Sequence, residues 1–139
     1  MNKIEINEFE KEKYSYETFV RVGDLNYGNH LAHDKLIAIL HDARVCFFKE
    51  KNLTEINLEN CFSIYITSLT INYLAQAFLG DKIKVSIFIN NINKASFEMK
   101  YKVFNQGLLI ALCATNLACY NNLKKRCDKI PSSLLSVLT

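Results

Sequence analysis

A chain of 139 residues fits one domain and is long enough to bury a core without disulfide or metal staples. Half of the residues are hydrophobic and 22% are charged, an ordinary globular composition, and a formal charge of +3, scattered along the chain, gives no footprint for nucleic acid. No apolar run reaches the roughly 18–20 residues of a membrane helix, and the stretch from Met1 to Lys13 is charged with no apolar leader, so a cytoplasmic protein without a membrane span is expected.

Cysteine usage points the same way. Cys46, Cys61, Cys113, Cys119 and Cys127 are odd in number and form no CxxC pair, and four of them lie in apolar segments. They read as small hydrophobes in a reducing compartment, and a catalytic cysteine is not expected.

In chain order, the first predicted element is a strand over Tyr14 to Val22, rich in Tyr, Thr, Phe and Val. A loop dense in turn formers follows, from Gly23 to Asn29. A helix is then expected from about Leu31 to Lys51. At 100° per residue Ala32, Leu36, Ile39, Leu40, Ala43, Cys46 and Phe47 make one apolar arc, and Ile37, Val45 and Phe48 interrupt the polar side. Such a helix is expected to be wrapped by a sheet.

Four strand patterns follow. Cys61 to Ala75 is long and mixed. Ile83, Val85, Ile87 and Ile89 alternate with Lys82, Lys84, Ser86 and Phe88, and Phe97, Met99, Tyr101 and Val103 alternate with Ser96, Glu98, Lys100 and Lys102. Leu108 to Tyr120 is nearly all apolar, as a central strand covered on both faces would be. The connections Gly80-Asp81, Asn90 to Asn93 and Asn105-Gln106-Gly107 are short enough for hairpins, so the last three strands should form an antiparallel meander. Lys124-Lys125-Arg126 reads as a solvated loop, with a phosphate contact as the other reading, and Pro131-Ser132 opens a short terminal helix through Leu138. One strand, one long helix and four more strands define an α+β domain, residues 1–139, with a sheet curled around a helix.

The residues that carry chemistry cluster at the helix start. Asp24, Asn26 and His30 lie in one short loop, and Asp34 sits in the first helical turns with Asn29 as the expected N-cap. Helix N-termini expose unpaired N–H groups and favour negative charge, including a developing oxyanion. A carboxylate, a carboxamide, an imidazole and free N–H groups are the parts of a hydrolytic site, although loop Asp and Asn also serve as plain turn and cap residues. His30, His33 and Asp34 have metal-ligand chemistry without secured ligand spacing, so no metal is expected. There is no Gly-x-Ser-x-Gly elbow and no phosphate-binding glycine loop.

The run Asp24-Leu25-Asn26-Tyr27-Gly28-Asn29-His30-Leu31, followed by Asp42-Ala43-Arg44, resembles the signature of the 4-hydroxybenzoyl-CoA thioesterase-like hotdog family. That signature is Asp-x-Asp, two more residues, Gly-His-Val-Asn-Asn, then a helix bearing Glu-Ala-Arg. Tyr73 to Ile83, with its Gly80-Asp81 turn, is similar to a second family anchor at matching distance. The likeness covers Tyr14 to Pro131. It implies a hotdog fold, a five-stranded antiparallel sheet around the helix, and an acyl-CoA thioesterase that cleaves a fatty or aromatic acyl-CoA with no cofactor beyond the CoA of its substrate. It further implies a homodimer or homotetramer with sites at the subunit interface. The thioester carbonyl would meet a backbone N–H near Ala32 or His33, with Tyr27, Gly28, Asn29, Leu31, Ala32 and His33 around the substrate.

One departure matters. Where the family carries its second acid, this chain has Asn26, which can neither attack nor take a proton at neutral pH. The base is then to be sought among Asp24, His30 and Asp34, and a non-catalytic acyl-CoA or acyl-carrier binding module stands as the alternative. A hotdog dehydratase fits less well, because the Pro/Gly-rich histidine loop is missing. Arg44 is expected to be a structural charge paired with Asp42 or a loop carboxylate.

Overall fold

The computed structural model describes residues 3–58 and 61–139. Its elements are β1 (Glu12–Phe19), a 3-10 turn (Val22–Asp24), α1 (His33–Glu50), β2 (Ile56–Leu58), β3 (Phe62–Tyr73), β4 (Lys82–Asn90), β5 (Ser96–Asn105), β6 (Leu108–Asn121), β7 (Arg126–Cys127) and α2 (Ser132–Leu138). The sheet runs β1-β4-β5-β6-β3-β2, with β7 added at the end of β6, and every pairing is antiparallel. The five long strands and the β4-β5-β6 meander agree with the sequence patterns; the short β2 and β7 are additions.

Period-two alternation decides what faces the helix. Ile83, Val85 and Ile87 of β4 and Phe97, Met99, Tyr101 and Val103 of β5 are buried against α1, which contributes Leu36, Ile39, Leu40, Ala43, Phe47 and Phe48. Each such aliphatic or aromatic side chain contributes roughly 1.5–3 kcal/mol on burial. Ala111 and Cys113 of β6 are small and fully buried, leaving room for the helix in mid-sheet. Leu134 and Leu138 of α2 join the same core. Ile37 and Val45 remain 37% and 44% exposed, so one apolar flank of α1 is uncovered in the single chain.

The other face of the sheet is not bare either. Residues 3–11, which carry no helix or strand before Glu12, cross it as an arm. Asn72 Nδ2 donates to the Ile4 carbonyl, Asn90 Nδ2 to the Glu8 carbonyl and Lys100 Nζ to the Asn7 carbonyl. Phe9 packs edge-on against Phe88 at 5.0 Å, with the Lys102 ammonium 4.5 Å from its ring centroid. The periodic pattern of β5 puts Lys100 on the solvent side; the arm is what buries it.

Two boundaries move, each for a local reason. The β1 ladder ends at Phe19 rather than Val22, because Val20 N–H donates to the Asp81 carbonyl and Gly80 N–H donates to the Val20 carbonyl, clamping the strand end to the Gly80-Asp81 turn. That turn needs Gly80 (φ +83) and is pinned by the Asp81 carboxylate, which accepts from Phe78 N–H at 2.9 Å and Asn105 Nδ2 at 2.8 Å. The helix begins at His33 rather than Leu31, because Leu31 N–H is already bonded to the Ala77 carbonyl. The N-cap is Ala32, without a side-chain cap bond; Asn29 instead takes a left-handed turn conformation (φ 64), which Asn tolerates well. The expectation of Asn29 as N-cap is thereby corrected.

Candidate active site

Residues 21–32 form a tight double-back loop fastened at both ends. The Asp24 carboxylate accepts Arg21 N–H at 2.9 Å, and the Asp24 carbonyl accepts Ala32 N–H at 2.9 Å. Leu25 and Leu31 face each other across an antiparallel bridge, with Asn26 N–H donating to the His30 carbonyl. At the turn the Asn26 carboxamide takes over: its Oδ1 accepts Gly28 N–H at 2.9 Å and His30 N–H at 3.3 Å. This is the Asx-type bonding that the residue type favours, and here it fixes the position of the imidazole. A second bridge, His30 to Phe78, docks the loop onto the segment between β3 and β4.

Together these elements enclose a cavity of about 240 Å3 at the start of α1. Asn26, His30, Leu31, His33 and Leu36 line it from the loop and helix; Tyr73, Ala75, Gln76 and Ala77 line it from the end of β3 and beyond, and Ile110 from β6. His30 is half-buried, with its Nδ1 3.3 Å from Asn26 Nδ2, its Nε2 3.4 Å from Gln76 Nε2, and its ring edge-on to Phe78. Tyr73 donates its hydroxyl to the His33 carbonyl at 3.1 Å, and burial, then Cys113 and Asp34, push its phenol pKa up. A Cβ at Gly28 would come within 3.1 Å of His30 Nε2, so the glycine keeps room for the ring.

Helix-end physics supplies the donors. Lys35 and Leu36 N–H reach back to the Ala32 carbonyl, whereas the N–H groups of His33 and Asp34 have no acceptor among the described residues. Ala32 N–H is committed to Asp24, which narrows the two expected carbonyl-polarising positions to His33.

Of the four residues expected to do chemistry, Asn26 and His30 line the cavity. Asp24 turns its carboxylate to Arg21, and Asp34 stands exposed in the first turn, near enough to Tyr73 to raise its pKa. Of the expected substrate contacts, Leu31 and His33 line the cavity; Tyr27, Gly28 and Asn29 are exposed on the loop, and Ala32 is buried behind it. Tyr73 and Gln76 are cavity residues that the sequence reading did not assign to the site. Their signal was their place beside the Gly80-Asp81 anchor, whose strand end packs on the loop.

Arg44 is 6% exposed, its Nε 2.6 Å from Glu55 Oε1 and its guanidinium close enough to Tyr101 to feel its charge, and the Tyr101 hydroxyl lies 3.0 Å from Thr115 Oγ1. The expected loop carboxylate is therefore Glu55, not Asp42, which is exposed. Beside this network an open groove of about 1020 Å3 runs along the far half of α1, with Val45, Phe48, Leu53, Ile56, Ile64 and Tyr65 among its walls. It is larger than the first cavity, but the loop motif and the unpaired helix N–H groups belong to the smaller one.

The fold is that of hotdog proteins. The chain belongs to the thioesterase-like superfamily, whose model matches residues 20–138. A 1,4-dihydroxy-2-naphthoyl-CoA hydrolase of Nostoc punctiforme is 22% identical over 130 residues, 90% of this chain and 86% of that protein. The fold is that of a Synechocystis 1,4-dihydroxy-2-naphthoyl-CoA thioesterase, with a TM-score of 0.84, 18% identity and coverage of 90% of this chain and 94% of that one. It is also that of a Staphylococcus aureus protein solved with CoA, at TM-score 0.83 and 17% identity, covering 96% and 85% of the two chains. No helix among the described residues is long and apolar enough to cross a membrane.

Proposed function

We propose that this protein is an acyl-CoA thioesterase that cleaves a fatty or aromatic acyl-CoA to the free acid and CoA. The observation that carries the reading is the pair of unpaired N–H groups at His33 and Asp34 beside a cavity that also holds His30. The thioester oxygen would lie at these donors, which strengthen as charge develops on it. Family membership and the acyl-CoA hydrolase relatives supply the substrate class. Asp24 is engaged by Arg21, so Asp34 at the rim is the stronger carboxylate candidate to activate water.

A second reading has its own support: no carboxylate is among the cavity-lining residues, and Asn26 stands where the family carries an acid. That favours a non-catalytic acyl-CoA or acyl-carrier binding module. Thiol release from a panel of acyl-CoAs separates the two, using wild type and Asp24→Asn, Asn26→Ala, His30→Ala and Asp34→Asn. His30→Ala and the base variant should lose on the order of a hundredfold. Unchanged rates in all four folded variants would sink the site assignment. No turnover on any ester, with a thermal shift on CoA esters, would favour the binder.

We further propose a homodimer, pairing onward into a tetramer or not, working in the cytoplasm. Among the described residues β2 pairs with β3 at Phe62 and Ser63 and Glu55 takes the Ile64 N–H, leaving the edge beyond without a strand partner, and Ile37 and Val45 of α1 stay exposed. Light scattering on the purified chain tests this: a monomer at micromolar concentration would refute it. All five cysteines are free, as a reducing compartment requires.

A further inference from the structure

We propose that the amide at position 26 selects the tautomer of His30, and that Gln76 is a positioning residue which holds the resulting Nε2–H at the cavity wall. The inference deepens the thioesterase reading and rests on it for the identity of the group that meets the imidazole.

The reasoning begins with Asn26, whose orientation is fixed by its own loop. Oδ1 accepts two backbone N–H groups, from Gly28 and His30, so the other end of the carboxamide is necessarily NH2. That NH2 faces His30 Nδ1 at 3.3 Å. A donor facing a ring nitrogen requires a lone pair there, so in neutral His30 Nδ1 accepts and the proton sits on Nε2. Nε2–H then points at the Gln76 carboxamide, 3.4 Å away. Two N–H groups do not bond each other; a half-turn of the Gln76 amide, which exchanges O and N at little steric cost, sets Oε1 to accept. Gly28, lacking a Cβ, leaves the ring free to sit there.

An Asp at position 26 would act in the opposite sense. One carboxylate oxygen would keep the two backbone N–H groups, and the other would accept Nδ1–H, leaving Nε2 as the acceptor. The amide therefore changes the polarity of the histidine as well as removing an acid. In this chain His30 presents an Nε2–H at the cavity wall that Gln76 already accepts, so a thioester oxygen bound at His33 N–H would have to share it. His30 does not offer a proton acceptor there.

The test is a long-range 15N–1H correlation spectrum of the His30 side chain at about pH 8.5, where an ordinary histidine is neutral, with turnover measured separately. Wild type should be in the Nε2–H form, Asn26→Ala should mix the tautomers, and Asn26→Asp should reverse them. Gln76→Leu should lower kcat on the order of tenfold with KM changed less than about twofold, and Gln76→Glu, which restores an acceptor, should recover most of the loss. Backbone amide spectra confirm folding. An Nδ1–H form in wild type, or an unchanged tautomer in both folded Asn26 variants, overturns the proposal even if acyl-CoAs are hydrolysed. An Nε2–H form that responds to both variants upholds the tautomer assignment even if no thioester turns over, and that failure would count against the thioesterase reading alone.

Discussion

The two halves of α1 handle polar groups in opposite ways. In the middle, Arg44 is a buried cation whose partners are all in place: Glu55 at 2.6 Å, Tyr101, and behind it Thr115. Burial by itself would lower the Arg44 pKa, and the contacts with Tyr101 and Glu55 outweigh it, while burial pushes the Tyr101 phenol up. At the N-terminus the polar cavity side chains are two amides, two imidazoles and a phenol, and two backbone donors are left over among the described residues. A charged network that is complete fixes helix to sheet; an incomplete one at a helix end is ready to accept a ligand oxygen. The same helix thus serves as anchor and as binding site, because desolvation penalises an unpaired charge far more than an unpaired N–H at a half-open rim.

The largest expected effect lies at the anchor. Arg44→Ala should cost about 3–5 kcal/mol in urea unfolding, since it leaves the Glu55 carboxylate without its cation and opens a gap beside Tyr101. A loss below about 1 kcal/mol would mean that the network does not hold the helix, and the contrast would fail. Gly28→Ala probes the other end. Its new Cβ would sit 3.1 Å from His30 Nε2 and 3.3 Å from Asn26 Oδ1, displacing the ring rather than the backbone. Thiol release should fall on the order of tenfold while unfolding stability changes by less than about 1 kcal/mol. An equal loss of both would make the loop part of the anchor.

The smallest effect at neutral pH concerns the thiols of the sheet. Burial pushes Cys113 from about 9 up to about 12, and Cys119 to about 11, whereas Cys127 is exposed. At pH 8 a thiol reagent should label Cys127 quickly and leave Cys113 and Cys119 untouched until the chain unfolds. For a raised folded pKa the contribution is intact below the unfolded value and lost as pH rises through the window from about 9 to about 12. Alkaline rather than acid titration should therefore weaken this part of the core, and denaturant midpoints across that range check the sign.

Much of this was legible in the residues. The alternation of Ile83 to Ile89 and Phe97 to Val103 specified which faces meet the helix, because a strand has only two sides. The apolar arc of Leu36, Ile39, Leu40, Ala43 and Phe47 specified the helix face in the same way. The order of the Asp24–Leu31 motif, the helix and the Gly80-Asp81 turn marked the family before any contact was known. The cover over Lys100 was not legible, because Ile4, Ile6 and Phe9 are too sparse to form a pattern. Ile6 and Phe9 find cover only by lying across strands that are distant in the chain, while Ile4 stays exposed.

At the site the division is similar. Local sequence was enough to bring Asp24, Asn26 and His30 to the mouth of a helix, since turn chemistry and helix ends act over a few residues. It could not say that Asp24 spends its carboxylate on Arg21, that Ala32 N–H is taken, or that Tyr73 and Gln76 complete the cavity. The first two are settled by how the loop closes on itself, and the last depends on hydrogen bonds to a segment forty or more positions away, as in the Tyr73–His33 and Gln76–His30 contacts. Composition and spacing determined which groups were available to this protein. Tertiary structure decided which of them were already used, because a donor or acceptor engaged elsewhere in the fold is not free to meet a substrate.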